Sequence, residues 1–172
     1  MTGKKNSPAK EAALMGMLFA MAMALSFAES LLPVLPMLPP GFKLGLSNIV
    51  TMYTLFVLGT RKGFAIAVLK SFFVLLTRAP IAAFMSLCGG LLSVLCMALC
   101  SRVKWLGKDY MLLSVIGALA HNLGQLLAAA AVLRSWSVMA YLPYLIIAAV
   151  LAGLFTGIAA QALVKRLDKM QK

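Results

Sequence analysis

Residues 81–100 are IAAFMSLCGGLLSVLCMALC, twenty consecutive residues without a charged side chain. An α-helix rises about 1.5 Å per residue, so this segment would span about 30 Å. That length equals the thickness of the hydrocarbon core of a typical bilayer. The segment therefore predicts a helix that crosses a membrane.

The composition of the whole chain extends this prediction. Of the 172 residues, 63% are hydrophobic and 12% are charged, whereas soluble domains carry about 45–50% and about 25%. A chain of this length is also too short for a membrane domain plus a separate globular enzyme. We therefore predict an all-α integral membrane protein. It would have a tail at residues 1–11, one membrane domain at 12–165 and a second tail at 166–172.

Five further apolar runs predict five more helices. Their bounds are Ala12–Leu32, Leu44–Leu58, Gly63–Thr77, Tyr110–Leu133 and Tyr141–Val164. Between the first two, LPVLPMLPPG at residues 32–41 predicts an extended connection, because proline cannot continue a helix interior. The basic start of the chain and its first apolar run resemble a signal peptide. However, the run is longer than a typical signal-peptide core, which favours a retained helix.

The distribution of Lys and Arg favours six spans. The net charge is +12, from 16 Lys+Arg and 4 Asp+Glu. With six spans, twelve cations share the side of the N-terminus, Lys43, Arg78 and Arg134 lie on the other side, and Lys70 is inside the membrane. Without the third helix the division would be eight and eight. Because cytoplasmic loops are enriched in Lys and Arg, we predict a six-transmembrane-helix bundle with both termini cytoplasmic. Cations placed between spans indicate topology rather than nucleic-acid binding.

Polar side chains gather in the outer half of this predicted bundle. An ionisable group at the bilayer centre costs about 2.5–3.5 kcal/mol, so a buried one is expected to have a partner or a function. The predicted ligand-binding residues are Glu29, Lys43, Asn48, Lys70, Arg78, His121, Asn122 and Gln125. The cations would attract a carboxylate or phosphate, and the amides would orient it. The alternative is that these groups only form hydrogen bonds between helices.

No catalytic, metal or cofactor site is predicted. The three cysteines lie in apolar stretches without a CxxC pair, and His121 is the only histidine, so no zinc ligand set is expected. The chain has no GxxxxGK[ST] loop for ATP. Its acidic residues, Glu11, Glu29, Asp109 and Asp168, are isolated on different segments, so no two would share a magnesium ion by local spacing.

Small residues recur at every fourth position of the first helix, at Ala12, Gly16, Ala20 and Ala24. Such a face lets another helix approach closely. It predicts a contact with a partner helix, and packing inside the bundle is the alternative.

Three segments carry a family resemblance: LPPGFKLGLSNIVTMYTLFVLGTRKGF at 38–64, SLCGGLLSVLCMAL at 86–99 and GALAHNLGQLLAAA at 117–130. They resemble the bacterial family called heptaprenyl diphosphate synthase component I, or the Gx transporter family, over about residues 12–165. That family is similar to the S components of energy-coupling-factor transporters. These are six-helix proteins of the cytoplasmic membrane that hold a vitamin-like ligand near the outer side.

The resemblance implies partners and a mechanism. S components work with a membrane scaffold subunit and two ATPases, and Gly16, Ala20 and Ala24 match the small-residue motif that contacts the scaffold. The implied mechanism is capture of the ligand from outside, followed by tilting of the bundle powered by ATP on the partners. The lipid bilayer is the expected environment, with no cofactor on this chain.

Two functions remain open at this stage. The first is a substrate-binding subunit of an energy-coupling-factor transporter that captures a vitamin-like, isoprenoid or anionic ligand. The second is a non-catalytic membrane subunit associated with heptaprenyl diphosphate or quinone synthesis. The outer half lined by cations and amides favours the first. A docking surface on the cytoplasmic side would favour the second, and the basic loop Arg102–Lys108 is a candidate, although anionic lipid would attract it equally.

Overall fold

The structure is a computed structural model that describes residues 7–31, 45–107 and 109–170, with the side chains of Ser30 and residues 163–170 left out. The predicted connection at 32–41, Lys43 and Lys108 lie outside the described residues. Over the described residues the secondary structure is helical, without a strand. The helices are α1 Pro8–Leu31, α2 Asn48–Tyr53 continued by a π-helical turn Thr54–Leu58, α3 Thr60–Thr77, α4 Pro80–Cys100, α5 Tyr110–Leu133, a 3₁₀ turn Trp136–Tyr141, and α6 Leu142–Met170.

The six predicted apolar runs each correspond to a helical segment. The bounds of α5 agree with the prediction, because Asp109 caps its first turn by accepting hydrogen bonds from the N–H groups of Met111 and Leu112 at 3.0 and 3.1 Å. The start of α4 has Pro80 in its first turn, where a missing N–H is tolerated. The outer helices reach further than predicted, since α1 begins at Pro8 and α6 extends to Met170.

Four helical stretches are long and apolar enough to cross a membrane: Pro8–Glu29, Pro80–Cys100, Tyr110–Leu133 and Trp136–Ala162. The apolar helix Asn48–Leu58 is only about 16 Å long at 1.5 Å per residue. The third helix carries Arg61, Lys62 and Lys70, which keeps it out of this set. The structure therefore shows an all-helical membrane protein with four candidate spans among the described residues. Six spans and the orientation of the termini remain predictions.

The helices alternate in direction. An ion pair of 2.7 Å between Lys62 and Glu11 joins the starts of α1 and α3. Ser71 of α3 lies beside Ser86 of α4, which makes these two helices antiparallel. We call the end where α1 and α3 begin the basic end, and the opposite end the Arg78 end. Among the described residues, the basic end carries Lys10, Arg61, Lys62, Arg102 and Lys104, and the Arg78 end carries Arg78 and Arg134.

One tryptophan is exposed at each end of the bundle. Trp105 follows α4 at the basic end and is 73% exposed, while Trp136 follows α5 at the Arg78 end and is 75% exposed. Tryptophan is enriched at both interfaces of a membrane, where its ring lies at the level of the lipid headgroups. The pair therefore supports a bundle whose long axis crosses the bilayer.

Glycines allow α5 and α6 to pack backbone to backbone. Gly153 and Gly157 lie one turn apart on α6. A Cβ atom at Gly153 would lie 2.6 Å from the Cα of Val115, and one at Gly157 would lie 2.9 Å from the Cα of Met111. Small residues at this spacing are typical of close helix pairs in membranes. This contact fixes the face of α5 that remains available to the rest of the bundle.

Candidate ligand site

A polar cavity lies between α1, α3, α4 and α5, beside the turn before α2 and towards the Arg78 end. Its volume is about 30 Å³, which is enough for about two water molecules. Charged, hydroxyl and amide groups make up most of its lining. The lining residues are Ser26, Glu29, Gly45, Ser47, Lys70, Val74, Arg78, Ala82, Ser86, His121 and Gln125.

Lys70 is the central cation of this cavity. It lies midway along α3, is only 3% exposed, and its Nζ donates a 2.7 Å hydrogen bond to Oδ1 of Asn48 on α2. Asn48 does not line the cavity itself, but this bond couples it to the site. An ammonium group at this depth is unfavourable unless neighbouring groups or a ligand compensate it. The fold thus turns the charge of α3 towards the bundle interior.

Glu29 supplies the negative charge of the site. It lies in the last turns of α1, is 6% exposed, and accepts a hydrogen bond from the N–H of Gly45. Gly45 has a φ of 82°, in the region that favours glycine. A Cβ atom there would also lie 2.7 Å from Nδ2 of Asn48. Glycine at position 45 therefore lets the chain reach the carboxylate and leaves room for Asn48.

Arg78 closes the cavity at the end of α3. Its backbone is extended where the helix stops, its side chain is half-buried, and its guanidinium donates a 3.5 Å hydrogen bond to the carbonyl of Ser26. Because it is only half-buried, Arg78 is the cation of the cavity that lies nearest to solvent or lipid headgroups. The described lining thus contains two cations and one carboxylate.

His121 and Gln125 form the α5 wall, one helical turn apart. They are 4% and 5% exposed, and Oε1 of Gln125 is buried without a hydrogen-bond partner among the described residues. Buried polar atoms are usually satisfied, so an orphaned acceptor beside a polar cavity indicates a place for water or a ligand donor. Gly89 of α4 makes room for this wall, because a Cβ atom there would lie 2.7 Å from the carbonyl oxygen of His121 and 2.8 Å from Cγ of Gln125.

The structure brings five of the eight predicted ligand-binding residues into one cavity: Glu29, Lys70, Arg78, His121 and Gln125. It places Asn122 elsewhere. The Asn122 side chain faces α6 and donates a 3.1 Å hydrogen bond to the carbonyl of Leu145, so it joins two helices. Lys43 lies outside the described residues.

Two lining hydroxyls were not among the predicted ligand-binding residues. Ser26 precedes Glu29 by one turn of α1, and this spacing places both on one helix face. Ser86 faces the cavity from α4 and lies 3.4 Å from the hydroxyl of Ser71. The spacing from Glu29 would have identified Ser26. By contrast, nothing in the sequence distinguishes Ser86 from the packing serines of the same helix.

A second polar pocket lies deeper in the bundle. Its volume is about 10 Å³, and Asn48, Ser93, Ser114 and Thr156 contribute its polar groups. The hydroxyls of Ser114 and Thr156 share a hydrogen bond between α5 and α6. Asn48 lines this pocket and binds Lys70 of the larger cavity, so the two polar regions adjoin.

Comparison with known proteins identifies one family. The family model described as heptaprenyl diphosphate synthase component I matches residues 18–163. This match confirms the resemblance predicted from the segments at 38–64, 86–99 and 117–130. Neither a curated protein nor a solved structure matches the chain, so the further likeness to S components stays a prediction.

Proposed function

The chain belongs to the heptaprenyl diphosphate synthase component I family, and from this premise we propose that it is a non-catalytic membrane subunit that binds a small anionic ligand inside its helix bundle. The observation that carries the proposal is the cavity around Lys70. A buried ammonium, a half-buried guanidinium and an orphaned amide oxygen converge there from three helices. Packing alone does not require ionic groups, whereas an anionic ligand would complement them.

The size of the cavity constrains the mode of binding. Ligand pockets usually have volumes of about 300–1,000 Å³, and the cavity measures about 30 Å³. Binding of anything larger than water therefore requires the surrounding helices to separate. A closed polar cavity that opens for its ligand is compatible with a subunit that captures a solute and releases it elsewhere, as in the proposed S-component mechanism.

The exposed face of α1 supports a partner in the membrane. Ala12, Gly16, Ala20 and Ala24 are all exposed, and a Cβ atom added at Gly16 would meet nothing within 4 Å. The bundle therefore does not use this face for its own packing. In the transporter hypothesis, the membrane scaffold subunit would occupy it and ATPase subunits would drive the cycle.

The transporter hypothesis is tested by ligand retention. Gently purified protein would be analysed by native mass spectrometry as wild type and as the Lys70→Met variant. We expect an anionic small molecule to copurify with the wild type and to be lost from Lys70→Met. The matched control is Lys104→Met, which removes an exposed cation at the basic end. Equal retention by all three proteins would refute binding at Lys70.

The family description favours a second candidate function more directly. A component of a prenyl diphosphate synthase would be a non-catalytic membrane subunit that associates with a soluble synthase. The chain has only four acidic residues, too few and too dispersed for the magnesium-binding carboxylates that diphosphate chemistry requires. Copurification separates the two candidates: a scaffold subunit with ATPases supports transport, and a prenyl synthase supports the accessory subunit.

A further inference from the structure

An apolar groove lies on the outer surface of the bundle, directly behind the polar cavity. It has a volume of about 310 Å³ and almost entirely apolar walls, among them Val68, Phe72, Leu75, Ala83, Phe84 and Leu87. Its α3 and α4 residues include exposed aromatic side chains, with Phe72 56% and Phe84 46% exposed. In a membrane this groove would face the hydrocarbon of the lipid.

The wall between groove and cavity is one layer of side chains. Lys70 lines the cavity while the next residue, Ser71, lines the groove. On the opposing helix, Ser86 lines the cavity while Leu87 lines the groove. The two compartments therefore meet along the seam where α3 packs on α4.

The seam is held weakly where these residues meet. The hydroxyl oxygens of Ser71 and Ser86 are 3.4 Å apart, longer than the 2.7–2.8 Å typical of a hydroxyl pair. Ser71 also donates a 2.9 Å hydrogen bond to the carbonyl of Ala67 on its own helix, and it would keep this bond if the helices separated. A slight separation of α3 and α4 would thus join the cavity to the groove without leaving the Ser71 hydroxyl unpaired.

We propose that the ligand is a lipid phosphate with a single hydrocarbon chain, whose phosphate or diphosphate lies beside Lys70 and Arg78 and whose chain passes through the α3–α4 seam into the groove. The inference rests on the proposed ligand function and names its substrate class. Charge complementarity places the head, because the cavity holds two cations against one carboxylate. Continuity across the seam places the tail, since the apolar compartment adjoins the cationic one. A wholly polar solute would occupy the cavity and leave the groove unused.

Photocrosslinking tests this arrangement. The full chain in nanodiscs of zwitterionic phosphatidylcholine would be labelled with a farnesyl diphosphate analogue that carries benzophenone on its chain. We expect crosslinks on the groove residues of α3 and α4, such as Phe72 and Phe84, as mapped by peptide mass spectrometry. Excess inorganic diphosphate should reduce them at least tenfold, because head and tail belong to one bound molecule.

A groove variant provides the matched test. Ala83→Trp would fill the groove, and we expect it to lower crosslinking at least tenfold while binding of inorganic diphosphate remains unchanged. The control is Ile147→Trp on α6, a position that is 62% exposed and lies outside the groove. It should crosslink like the wild type.

The possible failures are distinguishable. Crosslinks that inorganic diphosphate does not reduce, or that two-chain phosphatidic acid displaces while dodecyl phosphate does not, would assign the groove to ordinary membrane lipid and overturn this inference. Binding of inorganic diphosphate at Lys70 without chain-dependent crosslinks would also overturn it while leaving the proposed function in place. If neither probe binds, both proposals fall.

Discussion

Nζ of Lys70 lies 2.7 Å from Oδ1 of Asn48, and this hydrogen bond joins the middle of α3 to the first turn of α2. The bond places a cation inside the bundle and gives it a neutral acceptor. Hydrogen bonds to charged groups contribute about 1.5–3 kcal/mol. The pair is therefore the feature of the site on which both stability and ligand binding depend.

Removing the acceptor should be more damaging than removing the charge. Asn48→Ala leaves the buried ammonium with one acceptor fewer, and we expect it to lower stability by about 1–3 kcal/mol. Lys70→Met keeps the side-chain length and removes the charge, so the variant should be less destabilised. Thermal unfolding in detergent of both variants and of the double variant measures the coupling. Additive effects of the two substitutions would show that the bond contributes nothing.

Gly89 should be required for the α5 wall of the cavity. In Gly89→Ala the new methyl group would collide with the carbonyl of His121 and with Gln125, so α4 and α5 must separate. We expect a lower melting temperature and loss of anion binding. Gly90→Ala is the matched control, because its Cβ would meet Ala67 at an ordinary 3.4 Å. The prediction is wrong if the two variants behave alike.

Close packing of α5 on α6 should depend on Gly153. A methyl group there would lie 2.6 Å from a backbone carbon of Val115, and backbone cannot move aside as a flexible side chain can. We expect Gly153→Ala to destabilise the bundle by about 1–3 kcal/mol, measured by thermal unfolding. Gly16→Ala, in open space on α1, should leave the stability unchanged. A harmless Gly153→Ala would contradict the observed backbone contact.

The open face of α1 should serve a partner and not the bundle. Gly16→Leu is expected to leave the melting temperature of the isolated chain unchanged and to abolish copurification of its membrane partner, because a bulky side chain blocks close helix approach. Leu154→Phe on α6, a change at a position already 38% exposed, serves as the control. Retained copurification with Gly16→Leu would assign the face to lipid.

The orientation of the bundle can be tested with single cysteines. In a background with the three native cysteines replaced by alanine, Lys104→Cys would mark the basic end and Ser135→Cys the Arg78 end. Positive loops are retained in the cytoplasm, so an impermeant maleimide should label Ser135→Cys in intact cells and leave Lys104→Cys unlabelled. The reverse pattern would invert the proposed topology, and labelling of both would rule out a bundle that crosses the membrane between these positions.

Much of the fold was predictable because hydrocarbon imposes a simple rule on sequence. Uncharged runs such as 81–100 indicate helices of bilayer length, and α5 was predicted with its observed bounds. The length of α2 was less predictable, since the apolar run from Leu44 does not reveal that the helix begins at Asn48 and ends in a π-helical turn. Its partial crossing depends on neighbours that the run does not specify.

The candidate site was predictable as a set of polar residues but not as an arrangement. Helical periodicity places His121 and Gln125 on one face of α5, and the structure shows that face lining the cavity. The neighbouring Asn122 has the same chemistry and nearly the same depth, yet it is directed towards α6. Only the rotation of α5, set by the glycine contacts with α4 and α6, separates these roles.

The sequence by itself determined that this chain is a helical membrane protein of one family, because apolar length and charge spacing are properties of the linear chain. Tertiary structure alone decided that Lys70, Glu29 and Arg78 share one cavity, that the α1 glycine face stays open, and that an apolar groove lies behind the α3–α4 seam. The physical reason is that a helix turns every residue towards some direction, and only the packing of its neighbours decides what lies there.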